Sequence, residues 1–207
     1  MVTSKINKFE LCNVAAMRGN KLLFEDINCT LKQGDLLAIK GSNGTGKTTL
    51  LKVISGIIQP SKGKITINNE KIDSNNIGNI TYLDSTPVFK NTMNVVDYLV
   101  YWTTIYTGVR DISYKQVQYA IDFVGLTTLQ NNTISTLSLG QKKRLLLCKL
   151  LLVNRQLWLL DEPTIGLDIF WCERLVELIT NQRTKGGIII FTTHMELVLK
   201  DLLLLHL

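Results

Sequence analysis

The sequence predicts an α/β fold: a phosphate-binding core, an N-terminal antiparallel β subdomain and an inserted helical subdomain. Three observations carry that expectation. First, Gly41-Ser42-Asn43-Gly44-Thr45-Gly46-Lys47-Thr48-Thr49 follows the apolar run Leu36–Ile39 and leads into Leu50–Ile54, in the order strand, glycine-rich loop, helix. Second, Leu157–Leu160 is continuously apolar, as in a strand buried on both faces, and ends in the carboxylates Asp161 and Glu162. Third, from about Met93 the hydrophobic period changes to that of helices. A single domain spanning residues 1–207 is expected, with its core over about 1–87 and 151–207 and the helical subdomain over about 88–150.

Residues 8–31 suit two or three strands: Phe9–Val14, then Leu22–Phe24 and Ile27–Leu31, after the break at Arg18-Gly19-Asn20. Gln33-Gly34-Asp35 turns the chain into the strand before the glycine-rich loop. The spacing G-x-x-x-x-G-K-T in that loop is that of a P-loop, so the core expected is that of a P-loop NTPase. Its glycines let successive N–H groups point inward, and the helix N-terminus adds partial positive charge. Lys47 supplies a point charge for the β- and γ-phosphates of a nucleotide triphosphate, and the Thr48 hydroxyl can ligate Mg²⁺. A surface loop that carries Lys by chance would not require the flanking strand and helix.

Beyond the loop's helix, Gln59-Pro60-Ser61-Lys62-Gly63 breaks the structure and Lys64–Asn68 alternates as a half-buried strand. Ile77–Leu83 gives a further strand, ended by Asp84-Ser85-Thr86-Pro87. In the helical segment Val96, Leu99, Val100, Thr103 and Thr104 follow one stripe, with Tyr98, Tyr101, Trp102 and Tyr106 on adjoining faces. Residues 113–124 form a second helix, with Val117, Ala120, Ile121 and Val124 inside and Gly125 at its end. Ser138 and Gln141 make a capping box before the helical run from Lys142. The cap does not account for Gly140, because Gly in a helix costs about 1 kcal/mol relative to Ala. A glycine there admits close approach to the helix N-terminus, an end that suits phosphate.

Asp161, at the C-terminal edge of its strand, can reach Mg²⁺ held by Thr48, and Glu162 is placed to orient or deprotonate the attacking water. The alternative is a surface Asp-Glu pair at a strand end, which the upstream loop disfavours. Ile188–Phe191 is another apolar strand, followed by His194.

Composition sets bounds. With 45% hydrophobic and 19% charged residues the chain is globular, without a disordered or low-complexity segment. Its net charge of +6 is scattered, and the tightest basic run, Lys142-Lys143-Arg144, suits a solvated helix face. Cys12, Cys29, Cys148 and Cys172 have no metal-ligand spacing and sit among apolar residues, as buried free thiols do. The N-terminal residues lack a signal or transit pattern. The longest apolar runs, Leu145–Val153 and Leu197–Leu207, fall short of the roughly 20 residues that span a bilayer.

Gly41–Thr48, Leu137–Gln141, Leu157–Glu162, Leu167-Asp168 and Thr193-His194 resemble, in order, the Walker A loop, signature motif, Walker B strand, D-loop and switch histidine of the ATP-binding-cassette ATPases. The resemblance covers essentially the whole chain. It implies a head-to-tail dimer in which Ser138 and Gly140 of one copy, with Gln141 and Asp168, close on the nucleotide held by the other copy's P-loop. It also implies that His194 contacts the γ-phosphate and acts with Glu162 and Lys47 in hydrolysis. Arg18 falls where an aromatic usually stacks on adenine, and a guanidinium plane can also stack on a base. Ser85 stands where most members place Gln, so any metal contact from it would need a water. Leu139 stands where Gly is commoner.

A narrower group within that family, the ATP-binding subunits of cytochrome c maturation (haem exporter) transporters, is similar in four respects: Trp158 in Leu157–Pro163, the stretch Tyr82–Lys90, the run Lys185–His194, and the short tail after His194. That resemblance implies ATP hydrolysis driving haem export or release from a haem chaperone. It implies ATP and Mg²⁺ as cofactors, integral membrane transporter subunits as partners, and no nucleic acid. Ser85–Lys90 and the Tyr98, Tyr101, Trp102, Tyr106 helix would form the docking surface. The location implied is peripheral, on the cytoplasmic side of a bacterial inner membrane or the matrix side of a mitochondrial one. A soluble cassette ATPase acting on the ribosome or nucleic acid is the alternative; its usual doubled cassette, coiled-coil insertion or basic stripe is not found here. A non-hydrolysing regulator is a third reading, against which Asp161, Glu162 and His194 argue.

Overall fold

The structure, a computed structural model, describes residues 5–72, 77–86, 88–108, 113–153, 155–194 and 199–207. The chain forms two compact units: a core unit of Val2–Ser85, Arg155–Pro163 and Val176–Leu207, and a helical unit of Thr86–Asn154 and Thr164–Leu175.

In chain order the core unit carries β1 (Lys8–Arg18), β2 (Lys21–Lys32), β3 (Leu36–Lys40), α1 (Lys47–Ile54), β4 (Lys62–Ile67), β5 (Glu70–Lys71) and β6 (Ile80–Leu83). β7 (Leu157–Leu160), β8 (Ile188–Thr192) and β9 (Leu202–His206) complete it. β2-β1-β4-β5 make an antiparallel sheet and β6-β7-β8-β3-β9 a parallel one. Every residue of β7 and β8 is buried, as the unbroken apolar runs of parallel strands demand. Phe9, Leu31, Leu37, Ile39, Leu50, Leu51, Leu159 and Ile190 belong to one core cluster. Burying each such side chain contributes roughly 1.5–3 kcal/mol. Parallel pairing, with Leu83↔Leu160, Leu160↔Phe191 and Ile39↔Thr192 in register, brings four strand C-termini to one edge. Gly41, Ser85, Asp161 and Thr193 therefore leave the sheet side by side, where ligands of such sheets bind.

The helical unit holds α2 (Val95–Thr107), α3 (Tyr114–Phe123) and α4 (Leu139–Leu152), and α5 (Ile169–Thr184) begins in it. Asn94 caps α2 by accepting the Asp97 N–H at 2.8 Å. Val117, Ala120 and Ile121 are the buried residues of α3, and Val124 beyond it is buried too.

The structure corrects several expectations. The two pieces predicted within 22–31 are one strand: between the pairs Val14↔Ile27 and Ala16↔Phe24 a bulge with Asp26 at φ 54 absorbs the polar Glu25-Asp26. Ile77–Asn79 is a 3₁₀ turn, and the strand begins only at Ile80, where Leu157 of β7 first offers a pairing partner. The buried face of α2 is Val95, Tyr98, Leu99 and Thr103; Val96, Val100 and Thr104 are only half-buried. Lys149 explains the rotation, its ammonium lying 5.1 Å from the Tyr98 ring centre and 4.3 Å from that of Trp102.

Nor is Lys142-Lys143-Arg144 a solvated face. Lys143 is buried, while Arg144 donates to the Val124 and Gly125 carbonyls at 3.1 and 3.3 Å and lies over the Trp171 ring. All four cysteines are free, but only Cys148 is buried; the other three are half-exposed. Leu202–His206, expected only as part of an apolar run, is a parallel edge strand on β3 after a turn at Asp201, φ 54. The expected N-terminal pattern at 1–4, Pro87 of the predicted turn, and residues 197–198 of that run lie outside the described residues. Among the described residues, no helix is long and apolar enough to cross a membrane.

Candidate nucleotide site

α1 opens at Lys47 behind Gly46, whose φ of +106 closes the P-loop. A β-carbon at Gly46 would be strained there and would meet the Phe24 ring at 2.9 Å, so sequence and packing both require glycine. Gly44, at φ +85, faces open space, and Ser42 and Asn43 beside it are exposed. Thr45 braces the curl by donating to the Ser42 carbonyl at 3.0 Å. Thr49 is half-buried in the first turn of α1. Lys47 is buried, and its ammonium donates to the Gly41 and Ser42 carbonyls at 2.8 and 3.0 Å. The arrangement is a cradle with an ammonium at its rim.

Asp161 is 2% exposed and accepts from hydroxyls on three different elements. Thr48 Oγ1 lies 3.1 and 2.9 Å from its two oxygens, Ser85 Oγ 2.9 Å from Oδ2, and Thr192 Oγ1 2.8 Å from Oδ1. The Ser85 hydroxyl thus bonds the carboxylate directly. Glu162 follows at φ +46, its N–H donating to Thr192 Oγ1 at 2.8 Å. Its Oε1 stands 3.2 Å from His194 Nε2. Tyr82, on β6, has its phenol pushed well above the ordinary range, mainly by burial and then by the charges of Asp161 and Asp84.

Thr48, Asp161, Glu162 and His194 are thus brought together, with Thr192 and Ser85 among them. Thr192 was hidden in the sequence, since a β-branched residue at the end of an apolar run is also what strand packing selects. Arg18 is exposed at the hairpin tip, paired in register with Lys21.

In the helical unit, Ser138 and Gln141 complete the capping box: Ser138 N–H donates to Gln141 Oε1 at 2.7 Å and Gln141 N–H to Ser138 Oγ at 3.2 Å. A β-carbon at Gly140 would sit 3.5 Å from the Gly166 carbonyl, an ordinary contact, so the chain's own packing does not require that glycine. Leu139 beside it is exposed. Asp168 is exposed and accepts the Trp171 N–H at 3.0 Å at the start of α5, a local cap.

The residues fit the groups expected. Thr48 and Asp161 offer hard oxygen donors of the kind Mg²⁺ takes, leaving its remaining positions to water and phosphate. No cluster of three or more His, Cys, Asp or Glu that would make an all-protein metal cage occurs among the described residues. The glycine-lined loop with its inward ammonium fits a polyphosphate.

Residues 24–165 match the family model for ABC transporters. The chain belongs to the ABC transporter family. It is an ATPase of that family, and its P-loop and the strand ending at Asp161 both fall within the matched region. It is 49% identical over 201 residues to a cytochrome c biogenesis ATP-binding export protein, CcmA, from Reclinomonas americana, covering 97% of this chain and 90% of that one. The protein of the same name from Rhizobium johnstonii is 34% identical over 190 residues, covering 91% and 88%. Among solved structures, an ABC transporter ATP-binding protein from Pyrococcus furiosus superposes with a TM-score of 0.84 at 29% identity, covering 97% of this chain and 98% of that one. The ABC family likeness thus extends beyond residues 24–165 to nearly the whole chain.

Proposed function

We propose that this ABC protein is the ATP-hydrolysing motor of a membrane transporter serving cytochrome c biogenesis, where it powers haem export or release from a haem chaperone. One observation carries the motor reading: the Thr48 hydroxyl of the P-loop helix meets the Asp161 carboxylate, joining phosphate cradle and carboxylate strand in one site. The pathway rests on the 49% identity to the Reclinomonas americana export protein.

The N–H groups of Gly41–Thr49 and the Lys47 ammonium bind the ATP phosphates. Lys47 leaves the Gly41 and Ser42 carbonyls to do so. Thr48 and Asp161 would hold Mg²⁺, which would neutralise phosphate charge when bound. Glu162 takes the proton of the attacking water, and His194 orients that water and the γ-phosphate. Ser138, Gly140, Gln141 and Asp168 of a second, head-to-tail copy close the site, and Arg18 stacks on the base. Integral membrane subunits are the partners, and the cassette lies peripherally on the cytoplasmic or matrix face of the inner membrane.

The test is affinity capture of the tagged protein from detergent-solubilised membranes, with c-type cytochromes measured in cells carrying Lys47→Ala. A polytopic membrane partner and loss of covalently attached haem are expected. A stably partnerless protein with normal cytochrome c levels refutes the reading.

A further inference from the structure

We infer that Thr192 is a positioning residue of the hydrolytic site, its one hydroxyl fixing Asp161 and Glu162 together. The inference rests on the roles proposed above for those two carboxylates.

The proton bookkeeping is unambiguous. The Glu162 N–H can only donate, so Thr192 Oγ1 accepts it at 2.8 Å. The single Thr192 proton is then directed to Asp161 Oδ1, also at 2.8 Å. Thr192 ends β8, fully buried, and its strand is held between β7 and β3. The hydroxyl therefore has a rigid mount that is shielded from solvent.

Glu162 needs such a mount. Its φ of +46 lies in the left-handed region, where a side chain is disfavoured, and the residue is buried. That backbone conformation carries the carboxylate to His194 Nε2, 3.2 Å away. Without the Thr192 oxygen the buried Glu162 N–H loses its acceptor, and the local backbone loses the bond that holds it in the unfavourable region. The same change frees Asp161 Oδ1 to rotate away from Thr48. Valine would fill the volume of Thr192 and make neither bond.

The experiment compares Thr192→Val and Thr192→Ser in the purified full chain, with Thr192→Ala in reserve should valine prevent folding. Steady-state ATPase kinetics, Mn²⁺ affinity in the presence of ATP by electron paramagnetic resonance, and hydrogen exchange of the peptide spanning 157–166 are read for each. Thr192→Val is expected to lower kcat by about tenfold or more, with KM for ATP changed less than about threefold. It should also weaken Mn²⁺ binding and speed exchange at Glu162. Serine should restore all three. A Thr192→Val or Thr192→Ala protein with wild-type exchange at 157–166 overturns the inference, with or without measurable turnover. So does a serine variant as impaired as valine, because the methyl group would then be what matters. Glu162→Gln run alongside separates the levels: undiminished turnover in that variant removes the underlying site reading, whereas its loss beside an unaffected Thr192→Val removes only this inference.

Discussion

Nε2 of His194 stands 3.2 Å from Oε1 of Glu162, close enough for an ion pair, while no hydrogen-bond donor among the described residues meets that oxygen in good alignment. The glutamate side chain is only 11% exposed and the histidine 47%. A buried carboxylate oxygen with spare accepting capacity, next to a half-exposed imidazole, is suited to taking a proton from water.

Replacing Glu162 by Gln preserves shape and removes the base. Turnover should fall by about 10²-fold or more, while ATP-induced dimers, followed by size-exclusion chromatography with light scattering, persist. Wild-type turnover in that variant would take Glu162 out of the chemistry.

Lys47→Ala and Gly140→Asp should separate the two halves of the site proposed between two copies. The first removes the ammonium at the cradle rim and should abolish ATP binding by fluorescence titration. The second leaves the P-loop untouched and, since a β-carbon at Gly140 meets Gly166 only at ordinary contact distance, should fold. It is expected to bind ATP and lose dimer closure and hydrolysis. Equal loss of binding in both variants would contradict a site shared between copies.

Ser85 offers a narrower test. Its hydroxyl is one of three on the Asp161 carboxylate, and losing one such charge-assisted bond costs about 1.5–3 kcal/mol. Ser85→Ala should lower the melting temperature and raise the Mg²⁺ concentration giving half-maximal ATPase activity by several-fold. An unchanged Mg²⁺ titration would mean that Ser85 only packs.

Lys149 should leave a signature in stability against pH. Burial lowers its ammonium from 10.5 to about 7, and the faces of Tyr98 and Trp102 oppose that shift in part. Between those values the unfolded chain holds the extra proton, so stability rises as pH climbs from about 7 towards 10.5 and is at its floor below 7. Urea denaturation across that range should show wild type gaining on Lys149→Met by up to about 1.4 kcal/mol per pH unit. Parallel curves would place the ammonium in contact with water.

Much of this was legible in the sequence because the decisive signals are local. A glycine loop between an apolar strand and a helix, a capping box at Ser138, and carboxylates closing an apolar run each need only a few adjacent residues. What escaped depends on partners far along the chain. β9 looked like a stray apolar run until β3 supplied its neighbour. The face of α2 turned because a lysine of α4 sits over its aromatics. Thr192 and the direct Ser85 bond emerged only when three strand ends were set side by side, a juxtaposition that composition and periodicity do not encode.

The strand order β6-β7-β8-β3-β9 has a consequence for synthesis. β3 is made early, yet both of its neighbours, β8 and β9, emerge from the ribosome late. During translation the apolar Leu36–Ile39 has neither edge paired, and such segments seek other company, including chaperones. Asp161 and Thr192 are likewise missing while the P-loop is already in the open. In a nascent chain Thr48 therefore has no Asp161 carboxylate to meet until β7 has joined the parallel sheet.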